Sequence, residues 1–195
     1  MNMHVVTRRA VVSWIVYDLA NTIFSMGIIS LFFPLWVRSA VGSENADTVY
    51  GHMSSVSYLL IFLVSPLLGA MTDRARRRMP FLVVSTLICV GCTLALGRFG
   101  FWPTVIAFIV ANATYQAGLQ FYDAMLPEVS TEANRGRISG IGVGIGYFGS
   151  FVAIGLGFLT SDMLTRFLLV GAALLLFALP CFLFVRERGN PRPQS

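Results

Sequence analysis

Long apolar runs bounded by short polar stretches order this chain. They extend over about Ala10 to Val37, Val49 to Met71, Pro80 to Gly97, Phe101 to Tyr122, Ile138 to Thr160 and Arg166 to Val185. Most approach the roughly 20 residues that a helix needs to cross a hydrocarbon core of about 30 Å. The third is a little short. The first is long enough to tilt, and Ser65-Pro66 marks a possible kink in the second. The connections are short, so neighbouring helices are expected to pack antiparallel. The predicted fold is an all-α membrane protein with six transmembrane helices. Residues 1–9 form an N-terminal segment, 10–185 the helical bundle, and 186–195 a polar, proline-containing tail.

Composition sharpens this picture. Hydrophobic residues make up 56% of the chain and charged ones 12%, against about 25% charged in soluble domains. That leaves more apolar surface than polar groups could cover in water, so the lipid bilayer is an expected partner. All 14 basic residues are arginines, and the net charge is +5. Eleven of them (Arg8, Arg9, Arg74, Arg76, Arg77, Arg78, Arg135, Arg137, Arg186, Arg188 and Arg192) fall on one side of the predicted topology, and Arg38, Arg98 and Arg166 on the other. Arginine excess marks the cytoplasmic side, so both termini are expected there. The same distribution argues against a nucleic-acid partner, because the arginines form short clusters between apolar runs. Arg8 and Arg9 precede an apolar stretch as in a signal peptide, but the stretch is too long and contains Asp18, so it is read as a retained helix.

Chemistry-bearing residues are few. Cys89 and Cys92 have the spacing of half a zinc site, but no second pair completes it, and Cys181 stands apart. No metal is expected. There is no phosphate-binding Walker sequence, and no set of nucleophile, base and orienting group. Neither an enzyme nor a cofactor is expected. Gly144, Gly146 and Gly149 match the dinucleotide-binding glycine spacing, but inside an apolar run with no preceding strand the match is rejected. Gly140 with Gly144, and Gly142 with Gly146, are instead small-residue pairs suited to close helix packing. His52 is expected at a helix end, as a solvated interfacial residue.

Asp18 is the main exception to the apolar pattern. Trp14, Asp18, Asn21 and Ser25 lie at helical offsets that share a face. Asp18 sits about 12 Å inside the start of the first run at 1.5 Å per residue. A carboxylate at that depth must face protein or water, and intramembrane acids mark functional sites by default. Asn112, Gln116, Gln120 and Asp123, with Tyr115 beside them, form a second polar stripe on the fourth run. Two readings of these residues stay open. One is a wet cavity between the first and fourth helices, lined by a substrate or proton site. The other is a set of interhelical hydrogen bonds that fix packing.

The loop after the second run carries a recognisable motif. Gly69, Asp73, Arg74, Arg77 and Arg78 resemble the loop signature of the major facilitator superfamily, with Arg76 in place of its second glycine. The resemblance implies that Asp73 and these arginines, joined by Asp123 at the end of the fourth helix, form a cytoplasmic gate. Three further segments are similar to the vacuole effluxer family, the autophagy-related permeases and their bacterial relatives. They are Tyr17-Asp18-Leu19-Ala20-Asn21 with Phe24, Phe121-Tyr122-Asp123-Ala124-Met125-Leu126-Pro127, and Gly136-Arg137-Ile138-Ser139-Gly140 leading to Gly146-Tyr147. The resemblance implies secondary transport by alternating access in a bacterial cytoplasmic membrane, with export of a small-molecule substrate such as an amino acid. It also implies that these six helices are two inverted three-helix repeats, forming the first half of a twelve-helix carrier. A homodimer, or a separate second six-helix half, is then the expected partner. The alternative from a different class is a truncated or accessory membrane subunit that does not transport.

Overall fold

The computed structural model describes residues 7–74 and 77–187, with the backbone alone for 72–74. Among them every regular element is helical: α1 (Arg8–Phe24), a π-helical segment (Ser25–Phe32), α2 (Phe33–Val41), α3 (Ala46–Arg74), α4 (Met79–Ala95), α5 (Phe101–Ala124), α6 (Leu126–Val129), α7 (Arg135–Gly146), α8 (Phe148–Phe158) and α9 (Met163–Phe184). The all-helical prediction therefore holds over these residues. Four runs are long and apolar enough to cross a membrane: Arg8–Val41, Ala46–Met71, Arg135–Phe158 and Met163–Phe184. The shorter α4 has 17 residues. The 24 residues of α5 include Asn112, Gln116, Gln120 and Asp123, which dilute its apolar character.

Local chemistry sets the helix ends. Thr7 caps α1 by accepting from the Ala10 N–H at 3.3 Å. Asp162 caps α9: its Oδ2 accepts from the Thr165 N–H at 2.8 Å and from the Thr165 hydroxyl at 2.6 Å. These hydrogen bonds to the charged form hold the Asp162 carboxyl below the usual carboxylate range. Pro80 stands in the opening turn of α4, where a missing N–H costs nothing.

The first apolar run is one continuous 34-residue rod, but it is not uniformly α-helical. Over Ser25–Phe32 the turns widen, and the Phe33 N–H bonds the Ile28 carbonyl five residues back. The Ser30 hydroxyl donates to the Ser25 carbonyl at 3.1 Å within the same stretch. In that register the next N–H would belong to residue 34, which is proline and has none. The carbonyl it would have met, that of Ile29, accepts instead from the Tyr50 hydroxyl of α3 at 2.6 Å. The proline thus turns a bond within the helix into a bond between helices.

The rod lies at the centre of the bundle. α1 packs on α9, α7 and α8; α4 packs on α5 and α9; α3 packs on α5 and α2. Two buried clusters fill the interior. One surrounds Phe24, Phe33, Phe108 and Phe167, with the Phe33 and Phe108 rings stacked at 3.8 Å. The other, nearer the start of α1, surrounds Trp14, Tyr17, Tyr122 and Met125. Trp14 and Tyr122 form a reciprocal clasp there. The Trp14 Nε1–H donates to the Tyr122 carbonyl at 3.3 Å, and the Tyr122 hydroxyl donates to the Trp14 carbonyl at 3.0 Å. Their rings stack at 4.4 Å, 9° from parallel.

Contact between α1 and α7–α8 depends on absent side chains. A Cβ at Gly142 would stand 2.9 Å from the Trp14 ring, one at Gly146 would stand 2.6 Å from Asp18 Oδ2, and one at Gly149 would stand 2.6 Å from the Leu19 carbonyl oxygen. The first two obstacles are side chains, but the third is backbone and cannot swing aside. Gly140 and Gly144 lie off this track, with open space where a Cβ would be.

Two outcomes are expected. Gly149→Ala should lower stability by about 1–3 kcal/mol through overpacking, while Gly144→Ala should leave it unchanged or slightly raised; denaturation in mixed detergent micelles measures both. Tyr50→Phe, which strips the Ile29 carbonyl of its donor, should cost about 1 kcal/mol in the same assay.

Candidate functional site

The polar residues of α1 serve two adjoining interfaces. Trp14, Asp18 and Thr22 follow the α7–α8 glycine track, meeting Gly142, Gly146 and Gly149 in turn. Tyr17 and Asn21, three residues on from Trp14 and Asp18, face α4 and α5 instead. A three-residue step on an α-helix is about 60° short of a full turn, enough to separate the Asp18 and Asn21 side chains into neighbouring grooves. Asp18 is half-buried against Gly146, at the junction where α7 gives way to α8 through Tyr147. Asp123, Tyr115 and Tyr122 lie near enough to interact with it electrostatically.

Asn21 is 4% exposed and lines a small enclosed space with Tyr17, Thr86, Thr114, Tyr115 and Gly118. The space is about 10 Å³, the size of one water molecule. The Tyr17 hydroxyl and Thr86 Oγ1 lie 2.7 Å apart in a hydrogen bond across its wall. The Asn21 side-chain amide nitrogen has no hydrogen-bond partner among the described residues. Tyr115 closes the far side, its ring 4.9 Å from that of Phe24.

The stripe on α5 divides in the same way. Asn112 is fully buried, and neither its amide nitrogen nor its oxygen has a hydrogen-bond partner among the described residues. Gln116 and Gln120 are half-buried. The Gln120 Nε2–H donates to Ser65 Oγ of α3 at 2.9 Å, one residue before Pro66. Gln120 therefore reaches α3 with one of its two amide N–H groups. Buried amides without partners are costly in an apolar setting, and Asn21 and Asn112 each carry that cost.

Toward the end of α3, before α4 and at the end of α5 lie the residues of the candidate gate. Gly69 is half-buried on α3, with no atom near its Cβ position. Asp73 and Arg74 occupy the last turn of α3, and their side chains lie outside the described residues. Arg77 is exposed. The Arg78 Nη1–H donates to the Ala124 carbonyl at 2.7 Å, placing a guanidinium on the negative end of the α5 dipole. Asp123 is exposed beside that carbonyl. The structure thus brings Arg78 to the end of α5, next to Asp123.

Three participants were not singled out from the sequence. Glu187 accepts from the backbone N–H groups of Arg78 and Met79, the second at 3.0 Å, and so caps α4 from beyond α9. Its only signal was an acid following the last apolar run. Thr86 gave no signal, because a hydroxyl in an apolar helix ordinarily bonds its own backbone. Gly149 was visible as the continuation of the Gly142, Gly146 spacing at i+4 and i+7.

Comparisons with known proteins bear on the family of this chain. The family model described as Major Facilitator Superfamily matches residues 19–195. The chain is 28% identical over 148 residues to an uncharacterised MFS-type transporter, YxiO, of Bacillus subtilis (strain 168), covering 72% of this chain and 35% of that protein. It is 26% identical over 169 residues to an uncharacterised protein of Aquifex aeolicus (strain VF5), covering 84% of this chain and 42% of that protein. The chain thus spans less than half the length of these curated relatives. No solved structure matches it. With a family match across nearly the whole chain and helices suited to the bilayer, this is an integral membrane protein that belongs to the Major Facilitator Superfamily.

Proposed function

We propose that this chain is half of a secondary active transporter of the major facilitator type, working by alternating access. The observation that carries the reading is Asp18: an ionisable group half-buried on the central rod, seated against the backbone at Gly146. Asp18 serves as the proton or substrate-amine site. Asn21, Asn112, Tyr115, Gln116 and Gln120 supply hydrogen bonds to substrate or to the water that accompanies it. Unpartnered amides at Asn21 and Asn112 support this reading, because such groups are retained where a polar occupant meets them. Gly69, Asp73, Arg74, Arg77, Arg78 and Asp123 form the cytoplasmic gate, a role supported by the Arg78 contact with the end of α5.

The finer assignment follows the vacuole effluxer resemblance. The six helices, counting the shorter α4 and the amide-bearing α5, form two inverted repeats. Both termini are cytoplasmic, the membrane is a bacterial cytoplasmic one, and the solute is small and amino-acid-like, exported or exchanged. The chain acts with a second half, either another copy or a separate six-helix chain. Support comes from the length of the relatives and from the apolar faces left open on α3 and α8, where Phe62 is 71% exposed and Phe151 is 70% exposed.

In proteoliposomes under an imposed pH gradient, Asp18→Asn should reduce uptake of the transported amino acid at least about tenfold, or about 1.4 kcal/mol of coupling. Unchanged proton-driven flux would remove Asp18 from the mechanism. Flux absent from the unaltered chain as well, across a panel of labelled amino acids, would favour an accessory subunit. In mild detergent the functional species should run at twice the mass of one half or larger; a transporting monomer would overturn the pairing.

A further inference from the structure

Outside the central site, a concavity lies between the start of α4 and the end of α9. It is a cleft of about 640 Å³. Its wall changes character along its length. Arg77 and Arg186 stand just beyond the two helix ends, while Pro80, Val83, Val84 and Val185 lie at or inside them. Both arginines are exposed. Neither makes a hydrogen bond or ion pair with another described residue. Glu187 is the one acid among the described residues that line the cleft, and its carboxylate is already engaged by the opening N–H groups of α4. Among the described residues the local balance is two guanidinium groups against one occupied carboxylate.

The placement decides the ligand class. Helix ends of a membrane bundle stand at the headgroup level, where anionic lipid attracts basic residues by about 1 kcal/mol each. Guanidinium matches a phosphodiester with paired N–H donors. The apolar half of the cleft runs from there toward the hydrocarbon, with Val84 56% exposed. A soluble anion would use the arginines and leave that half idle, whereas a lipid uses both. We propose that the cleft between α4 and α9 is a site for one anionic phospholipid. Arg77 and Arg186 hold its phosphate, and an acyl chain lies along Pro80, Val83, Val84 and Val185. The site requires only that the protein sits in a bilayer, so it stands or falls separately from the transport reading.

The test is native mass spectrometry of the full chain in mild detergent, titrated with dioleoyl phosphatidylglycerol or dioleoyl phosphatidylcholine. Phosphatidylglycerol should bind more tightly than phosphatidylcholine. The double variant R77A/R186A should lose about ten- to thirtyfold of the phosphatidylglycerol affinity, with phosphatidylcholine binding unmoved. R77K/R186K, which keeps the charge, should retain most of the affinity and covers the case in which the alanine variant folds poorly. R98A removes an exposed arginine at the other end of α4 and should bind as the unaltered chain does. Equal binding of the two lipids by the unaltered chain, or the same loss in R98A, would overturn the proposal. So would displacement of the bound lipid by millimolar inorganic phosphate, which would mark an anion site with no acyl seat.

Discussion

A polar helix at the centre of an apolar bundle needs neighbours that come close. In lipid no hydrophobic force draws helices together, so van der Waals contact and interhelical hydrogen bonds must do so. The α1 rod meets this demand by being flanked with glycine. Gly142, Gly146 and Gly149 leave room for Trp14, Asp18 and the α1 backbone itself, and the remaining contacts of α1 follow from the position that this fixes. Once α1 is seated against α7–α8, its adjoining face presents Tyr17, Asn21 and Phe24 to α4 and α5. The Trp14–Tyr122 clasp then pins one end of that second interface.

The same seating explains why Asp18 and Asn21 are not equivalent. Asp18 lies in a glycine-lined groove, against Gly146 at the end of α7. Asn21 lies in the groove with the most aromatic bulk, where room remains for about one water. A proton or an ammonium group needs a carboxylate that small movements can expose. An amide in a tight aromatic groove is better suited to hydrogen-bonding a small polar occupant. The division of labour proposed for the two residues follows from which neighbours are missing side chains.

Much of this was legible in the sequence. Hydropathy and arginine spacing were enough for an all-helical membrane chain, and the cost of a buried carboxylate was enough to single out Asp18. The face shared by Asp18 and Asn21 was read too coarsely, because a helical wheel treats a 60° offset as one face while a glycine-lined groove is narrower than that. The π-helical segment was invisible, since the widened turn depends on where Tyr50 of α3 can reach the Ile29 carbonyl. Gln120 was placed on a cavity stripe, but one of its two amide N–H groups goes to Ser65. Periodicity gives the direction of a side chain and says nothing of the partner across the gap. The cap on α4 by Glu187 joins residues 108 positions apart, a separation at which no local pattern operates.

That cap has a mechanical consequence. The carboxylate sits beyond the last turn of α9 yet bonds the first N–H groups of α4, and Arg78 in turn holds the final carbonyl region of α5. Tension on the chain past residue 187 would therefore not simply unravel α9. It would be delivered to the opening turn of α4 and, through one guanidinium, to the closing turn of α5. Three rods of the bundle are harnessed to a single pulling point, which makes that point a natural handle for anything that has to tilt them together.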